Sequence, residues 1–183
     1  MARRRPAPTP KPTPKQMTAV LCDVARVAAA MVDGDLAGRI VSERSWRYIR
    51  TPNPKYRFMT GDYYDVDHAS FLLMKKTLLR LGRLAGFPCG TSLWLPVPGA
   101  KGQVSCVVQN GKLHRYYRFG ASSQPTPPEM VRCLKTGKVV AAPADRDYVT
   151  VLAPVRDSLG DVVGVVELCA ASPGSRALAP AWS

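Results

Sequence analysis

Acidic residues, histidines and catalytic signatures are all scarce in this sequence. Only 13 of its 183 residues are Asp or Glu and two are His, against 26 Lys and Arg. The formal net charge of +13 permits nucleic acid, anionic membranes or anionic ligands as partners. The sequence contains no GxSxG, HExxH or GxxxxGKS/T motif, so the enzyme classes that those motifs mark find no support. We therefore expect a protein that is not an enzyme.

Long apolar runs are also missing. The longest charge-free run, residues 84–100, is interrupted by proline and glycine, whereas a membrane-spanning helix needs about 20 apolar residues. The N-terminal arginines are followed by prolines instead of the apolar core of a signal peptide. We expect a cytoplasmic protein with no membrane span.

Paired metal ligands are absent as well. The five cysteines include no CxxC pair, which speaks against both a disulfide framework and a structural zinc site. Asp65, Asp67 and His68 lie close together but lack a further ligand in register. Acidic residues at the start of a helix are better explained by their favourable interaction with the positive end of the helix dipole. We expect neither a metal nor any other cofactor.

The composition divides the chain into three parts. Residues 1–15 are basic and rich in proline, which predicts a disordered, polyproline-like tail. Residues 16–171 are long enough for one domain with its own core, and residues 172–183 are expected to be a flexible tail.

Two helices are predicted before any strand. Apolar residues recur at helical spacing over residues 16–33, and Gly34 is a candidate C-cap. This apolar stripe would suit either a dimer seam or packing on a sheet. The second helix covers residues 67–85, with Asp67 as N-cap and Gly86 as its end.

The segment between these helices, residues 36–65, is predicted to be irregular. Six aromatic residues alternate there with five arginines, and this combination can bind RNA or single strands. A long loop folded over a sheet is the other interpretation. A nucleic-acid or protein-interaction module that uses the tail and residues 44–64 is therefore the alternative function, although nucleic acid is the less favoured partner.

Strand patterns follow the second helix. They cover residues 92–97, 103–109, 113–119, 148–155 and 162–168, and a short helix is predicted over residues 128–136. The Asn110-Gly111 pair is a strong hairpin signal between the second and third strands. The order predicts an α+β fold: a five-stranded antiparallel sheet with a long N-terminal helix and further helices packed on one side.

Four phrases of residues 27–170 resemble the Cache (PAS-like) sensor-domain family of bacterial signalling proteins. They are AAAMVDGDLAGRI, LLMKKTLLRLGRLAG followed by TSLWLPVPGAKGQVSCVV, LKTGKVV, and LAPVRDSLGDVVGVVEL. The last phrase is the most specific, and GAF domains end in a similar one.

The resemblance implies a sensory domain that binds a small ligand without catalysis. It implies a carboxylate or amino-acid-like ligand on one sheet face, and signalling through the N-terminal helix, with a homodimer and a signalling protein as partners. Members of the family often place an acid for a ligand amine near the end of the last strand. Here Glu167 is nearby, but Cys169 holds the matching position.

The candidate ligand-binding residues come from strand patterns and from one loop. His114, Tyr116 and Arg118 alternate along the predicted third strand, so they would share one face and could hold a carboxylate. The solvent face of that strand is the alternative. Trp94 could be a ligand platform or core filler.

The remaining candidates flank the last two strands. Asp145, Asp147 and Tyr148 precede the fourth strand, where they could cap a ligand or serve the turn. Glu167 interrupts an apolar strand, so it either faces a pocket or lies exposed at an edge. Exposure is favoured, because charged groups are rarely buried without a partner.

Overall fold

The computed structural model describes residues 12–51, 65–118 and 121–175. The helices within these ranges are α1 (Pro14–Met31), α2 (Gly34–Arg39), α3 (Glu43–Arg50), α4 (His68–Leu84) and α5 (Pro128–Thr136). The strands are β1 (Gly90–Pro96), β2 (Gln103–Asn110), β3 (Gln124–Pro125), β4 (Val140–Ala141), β5 (Tyr148–Arg156) and β6 (Val162–Ala171). They form one antiparallel sheet in the order β3-β2-β1-β6-β5-β4.

Helix α1 begins two residues before its predicted start. The Thr13 side chain accepts a hydrogen bond from the Gln16 backbone N–H, and the Gln16 side-chain oxygen accepts one from the Thr13 backbone N–H, so the two residues form a capping box. The apolar stripe of α1 packs on β5 and β6, with Leu21, Ala25 and Ala28 fully buried. Of the two alternatives predicted for this stripe, packing on a sheet or a dimer seam, the structure therefore shows packing on the sheet.

The predicted C-cap at Gly34 is wrong. The capping residue of α1 is Val32, and Gly34 is the first residue of α2, whose N-cap Asp33 accepts from the Leu36 backbone. Gly34 is required by a close contact, because a Cβ there would lie 2.3 Å from the Arg156 carbonyl oxygen.

The irregular segment predicted over residues 36–65 contains two helices instead. Helix α3 is capped by Ser42, buries Trp46 and Ile49, and exposes the face that carries Arg44 and Arg47. This basic face and residues 12–15 of the tail are the described parts of the alternative nucleic-acid surface. The rest of that surface, residues 1–11 and 52–64, lies outside the described residues.

The sheet is covered on both faces. Four of the five described helices, those before β1, cover one face, where Leu93, Val151 and Leu168 lie in the larger core, in agreement with the predicted α+β fold. The shorter α5 packs on the opposite face, in a second cluster with Trp94 and Leu152. Two short edge strands, β3 and β4, stand in place of the predicted third strand, so the described ranges contain six strands instead of five.

The predicted third strand is wrong. Residues 113–118 form no ladder with β2, and Phe119 lies outside the described residues. The outer partner of β2 is β3, which pairs only with Gln103 and Val104. No helix in the described ranges is long and apolar enough to cross a bilayer.

Candidate functional site

The candidate site lies on the sheet face that α5 also contacts. Side chains alternate along a strand, so Ser92 and Trp94 of β1 share this face with Glu167 of β6 and Leu152 of β5. Residues 111–118, which we call the strap, cross this face between β2 and β3. The strap lies so close to β1 that a Cβ added to Gly90 would lie 2.0 Å from the Leu113 carbonyl oxygen.

Glu167 is the centre of the site. Its side chain is fully buried, which makes the expectation of an exposed carboxylate wrong. Its Oε2 accepts a 2.9 Å hydrogen bond from Trp94 Nε1, and its Oε1 accepts backbone hydrogen bonds from Arg115 at 2.8 Å and Tyr116 at 3.4 Å. Of the three donors to this carboxylate among the described residues, two therefore belong to the strap.

The surroundings of Glu167 act on its charge in opposite directions. Burial raises its pKa, because a carboxylate loses its hydration there. The hydrogen bonds from Arg115, Trp94 and Tyr116, and the positive charge of Arg115, work against this and lower the pKa. Burial is the larger effect, so a further positive charge placed beside the carboxylate would stabilise its ionised form.

His114 attaches the strap to β1. Its Nε2 lies 2.9 Å from the Gly111 carbonyl, which can only accept, so Nε2 carries the proton. Its Nδ1 then accepts from the Ser92 hydroxyl at 2.7 Å. Burial lowers the pKa of His114 and favours this neutral form. Such a pair could activate a serine, but Ser92 has no exposed surface at all in this closed arrangement.

Arg115 attaches the strap to the loop before β5. Its guanidinium donates to the Pro143 carbonyl at 2.6 Å and pairs with Asp145 at 3.3 Å. Asp145 also accepts from the backbones of Asp147 and Tyr148, so it serves the turn and holds the strap at once. The turn is one of the two roles expected from the sequence, and the hold on the strap was not expected.

Tyr116 closes the strap over α5. Its ring lies 5.6 Å from the Arg115 guanidinium carbon, and its hydroxyl is buried with no hydrogen bond of normal geometry to the described residues. Burial raises its pKa, and Glu129 in the first turn of α5 raises it further. The site therefore contains a buried hydroxyl beside the Glu129 carboxylate.

The other predicted site residues lie outside this network. Arg118 is exposed at the end of the strap, so the predicted carboxylate-binding face of His114, Tyr116 and Arg118 does not form. Asp147 is exposed, and its side chain accepts from the Ser175 hydroxyl. Tyr148 is half-buried at the start of β5, where burial raises its pKa.

Two residues of the site were missed from the sequence. Ser92 could have been found, because it alternates with Trp94 on the same predicted strand. Arg115 could not, because the predicted third strand placed it on the face opposite His114. No group of three or more His, Cys, Asp or Glu residues in the described ranges is arranged to hold a metal ion.

No family model matches the chain, and no curated protein matches it significantly. Solved structures do resemble it. The A. aeolicus nlh2 GAF domain in an inactive state is 14% identical, with a TM-score of 0.40, and the match covers 71% of this chain and 79% of that one. A second GAF domain is 7% identical, with a TM-score of 0.41 and coverages of 78% and 80%.

A third similar structure is the sensory domain of the Campylobacter jejuni chemoreceptor Tlp3 (CcmL) with isoleucine bound. It is 12% identical, with a TM-score of 0.37, and the match covers 86% of this chain and 56% of that one. Likenesses of this size carry no functional argument. The chain is similar to GAF domains and to a chemoreceptor sensory domain in its general architecture.

Proposed function

We propose that this chain is a non-catalytic, PAS-like sensory domain that binds a small amino-acid-like ligand through the ligand's ammonium group. The observation that carries the proposal is the buried Glu167 carboxylate, which takes two of its three hydrogen bonds from the strap backbone. The proposal also includes membership of the Cache family, formation of a homodimer through α1 and a cytoplasmic location.

The ligand competes with the strap for Glu167. A buried carboxylate must keep hydrogen-bond donors, because an unpaired charge in the interior is very costly. An ammonium supplies three N–H donors and a full positive charge, whereas the strap supplies two neutral N–H groups. The ligand would displace Arg115 and Tyr116 from the carboxylate and lie against the Trp94 indole.

The signal would pass through the sheet to α1. Leu152 of β5 is paired with Glu167 on the ligand face, while its neighbours Val151 and Ala153 face the helices. α1 lies directly on β5. A displacement of β6 and β5 would therefore move α1, whose outer side leaves Val27 and Met31 exposed for a partner.

The test is a thermal-shift screen with amino acids, primary amines, simple carboxylates, purines and a short RNA. A ligand at 1,000 times its dissociation constant adds about 4 kcal/mol of stability. We expect ammonium-bearing compounds to raise the melting temperature of the wild type and of Glu43→Gln, which removes an exposed acid on α3. Glu167→Gln should lose that shift.

A second readout keeps the test valid if Glu167→Gln does not fold. Trp94 emission in the wild type should change with the same amines, and Trp94→Phe should abolish that change. A retained thermal shift in Glu167→Gln would contradict the proposal. So would a shift with RNA alone that disappears at higher salt, because that behaviour indicates phosphate contacts.

A further inference from the structure

A cleft of about 470 Å³ lies at the other end of β1, away from the strap. One wall is the turn between β1 and β2, and the other wall is one side of α5, with Thr126 between them. The cleft shares no residue with the network around Glu167. Its volume is within the range of about 300–1,000 Å³ that small-molecule sites occupy.

The turn that forms the first wall is fixed by hydrogen bonds. Val97 donates to the Gln103 carbonyl at 3.0 Å, and Thr126 donates to the Gly102 carbonyl at 2.9 Å. Arg50 of α3 braces the turn from outside by donating to the Pro98 carbonyl at 3.0 Å. Gly102 has a φ of +75°, which residues with a side chain rarely adopt, so the shape of this wall depends on a glycine at this position.

The lining combines an apolar floor with cations. Val131, Leu134 and Lys135 fall at helical spacing on one side of α5, and Val97 lies buried opposite them. Lys101 and Lys135 are exposed at the rim, and neither forms an ion pair with the described residues. No acidic side chain among the described residues lines the cleft.

We propose that this cleft is a second binding site, for a small organic anion that has an apolar body and one carboxylate. The apolar part lies on Val131 and Leu134, and the carboxylate lies between Lys101 and Lys135. A lysine ammonium donates charge-assisted hydrogen bonds to such a group. The site is independent of the proposed function, because it uses other residues and selects the opposite ligand charge.

The experiment is an NMR titration of the ¹⁵N-labelled full chain with sodium octanoate, beside octylamine as the probe of opposite charge. Octanoate should shift the amide resonances of residues 97–103, 126 and 131–135 in saturable fashion. Octylamine should leave these resonances unchanged. Amine effects around Glu167 report on the other site, so the failure of one proposal is distinguishable from the failure of the other.

The matched variants test the two rim lysines. The double variant Lys101→Ala/Lys135→Ala should weaken octanoate binding by about 10-fold, the effect of 1.4 kcal/mol. The control Lys76→Ala/Lys138→Ala removes the same charge from exposed lysines outside the cleft and should bind as the wild type does. Equal binding by both double variants, shifts outside the cleft, or no saturable shift at millimolar octanoate would overturn the proposal.

Discussion

Trp94 and Glu167 join two central strands through a hydrogen bond of 2.9 Å between the indole Nε1 and the carboxylate Oε2, inside the sheet's second core. Neither side chain is more than 2% exposed. A donor to a buried carboxylate contributes more than a neutral hydrogen bond, since its loss leaves part of the charge unsatisfied.

Trp94→Phe should therefore destabilise the fold beyond the effect of lost volume. We expect an extra cost of about 1–3 kcal/mol relative to Trp46→Phe, which makes the same change in the other core. Urea unfolding of the two variants measures the difference. Equal stability losses would show that the indole N–H contributes nothing to Glu167.

Glu167 should make stability depend on pH. Its folded pKa is raised above the ordinary value of 4.5, so the unfolded chain releases this proton first as the pH rises. The unfolding free energy of the wild type, relative to Glu167→Gln, should fall as the pH increases from 4.5 to the folded pKa. Urea melts across this range supply the comparison, and a difference that grows with pH would refute it.

His114 should make stability depend on pH in the opposite direction. Burial lowers its folded pKa below 6.5, so the unfolded chain takes up the proton first as the pH falls. Stability should be lost as the pH falls through 6.5, and the Trp94 indole N–H resonance should lose protection. His114→Gln should remove this loss, whereas a variant of the chain's other histidine, His68→Gln, should retain it.

Gly90→Ala should displace the strap. A Cβ there would lie 2.0 Å from the Leu113 carbonyl oxygen, so either the strap or β1 must move. We expect lower stability and faster hydrogen exchange at Arg115 and Tyr116. Gly38→Ala is the control, since nothing lies within 4 Å of that Cβ and alanine favours the helix by up to about 1 kcal/mol. Unchanged exchange in Gly90→Ala would contradict the strap contact.

Charged substitutions on α1 should separate folding from association. Val24 is 4% exposed and packs on the sheet, so Val24→Asp should unfold the domain and cannot test a dimer. Val27 is 42% exposed, so Val27→Asp should remain folded and dissociate a dimer formed through α1. Circular dichroism and sedimentation velocity distinguish the two effects. A folded Val27→Asp variant with the wild-type sedimentation coefficient would exclude this part of α1 from a dimer interface.

Elements with local signals could be predicted from the sequence. Helix α5 occupies the residues expected for it, because Pro128 fixes its start and Gly137 adopts the left-handed φ of +60° that ends it. The four long strands β1, β2, β5 and β6 were predicted in the same way, from period 2 and from turn glycines, whereas the two-residue strands β3 and β4 were not. These signals lie within a few residues of the element that they define.

The strap could not be predicted in this way. Its alternating residues look like a strand, but the acceptor for its backbone is Glu167, 52 positions later than Arg115. The burial of Glu167 was missed for the same reason, because its donors are distant in the sequence. A pattern on one segment carries no information about a partner so far away.

The distance between the strap and its acceptor also orders events during synthesis. When the strap leaves the ribosome, β6 has not yet been translated, so the nascent chain has β1 and β2 but no carboxylate to receive Arg115 and Tyr116. The β1 edge that pairs with β6 stays without its partner strand until residue 167 emerges. The closing of this face is thus a late step of biogenesis, and a ribosome stalled before β6 would hold the strap open.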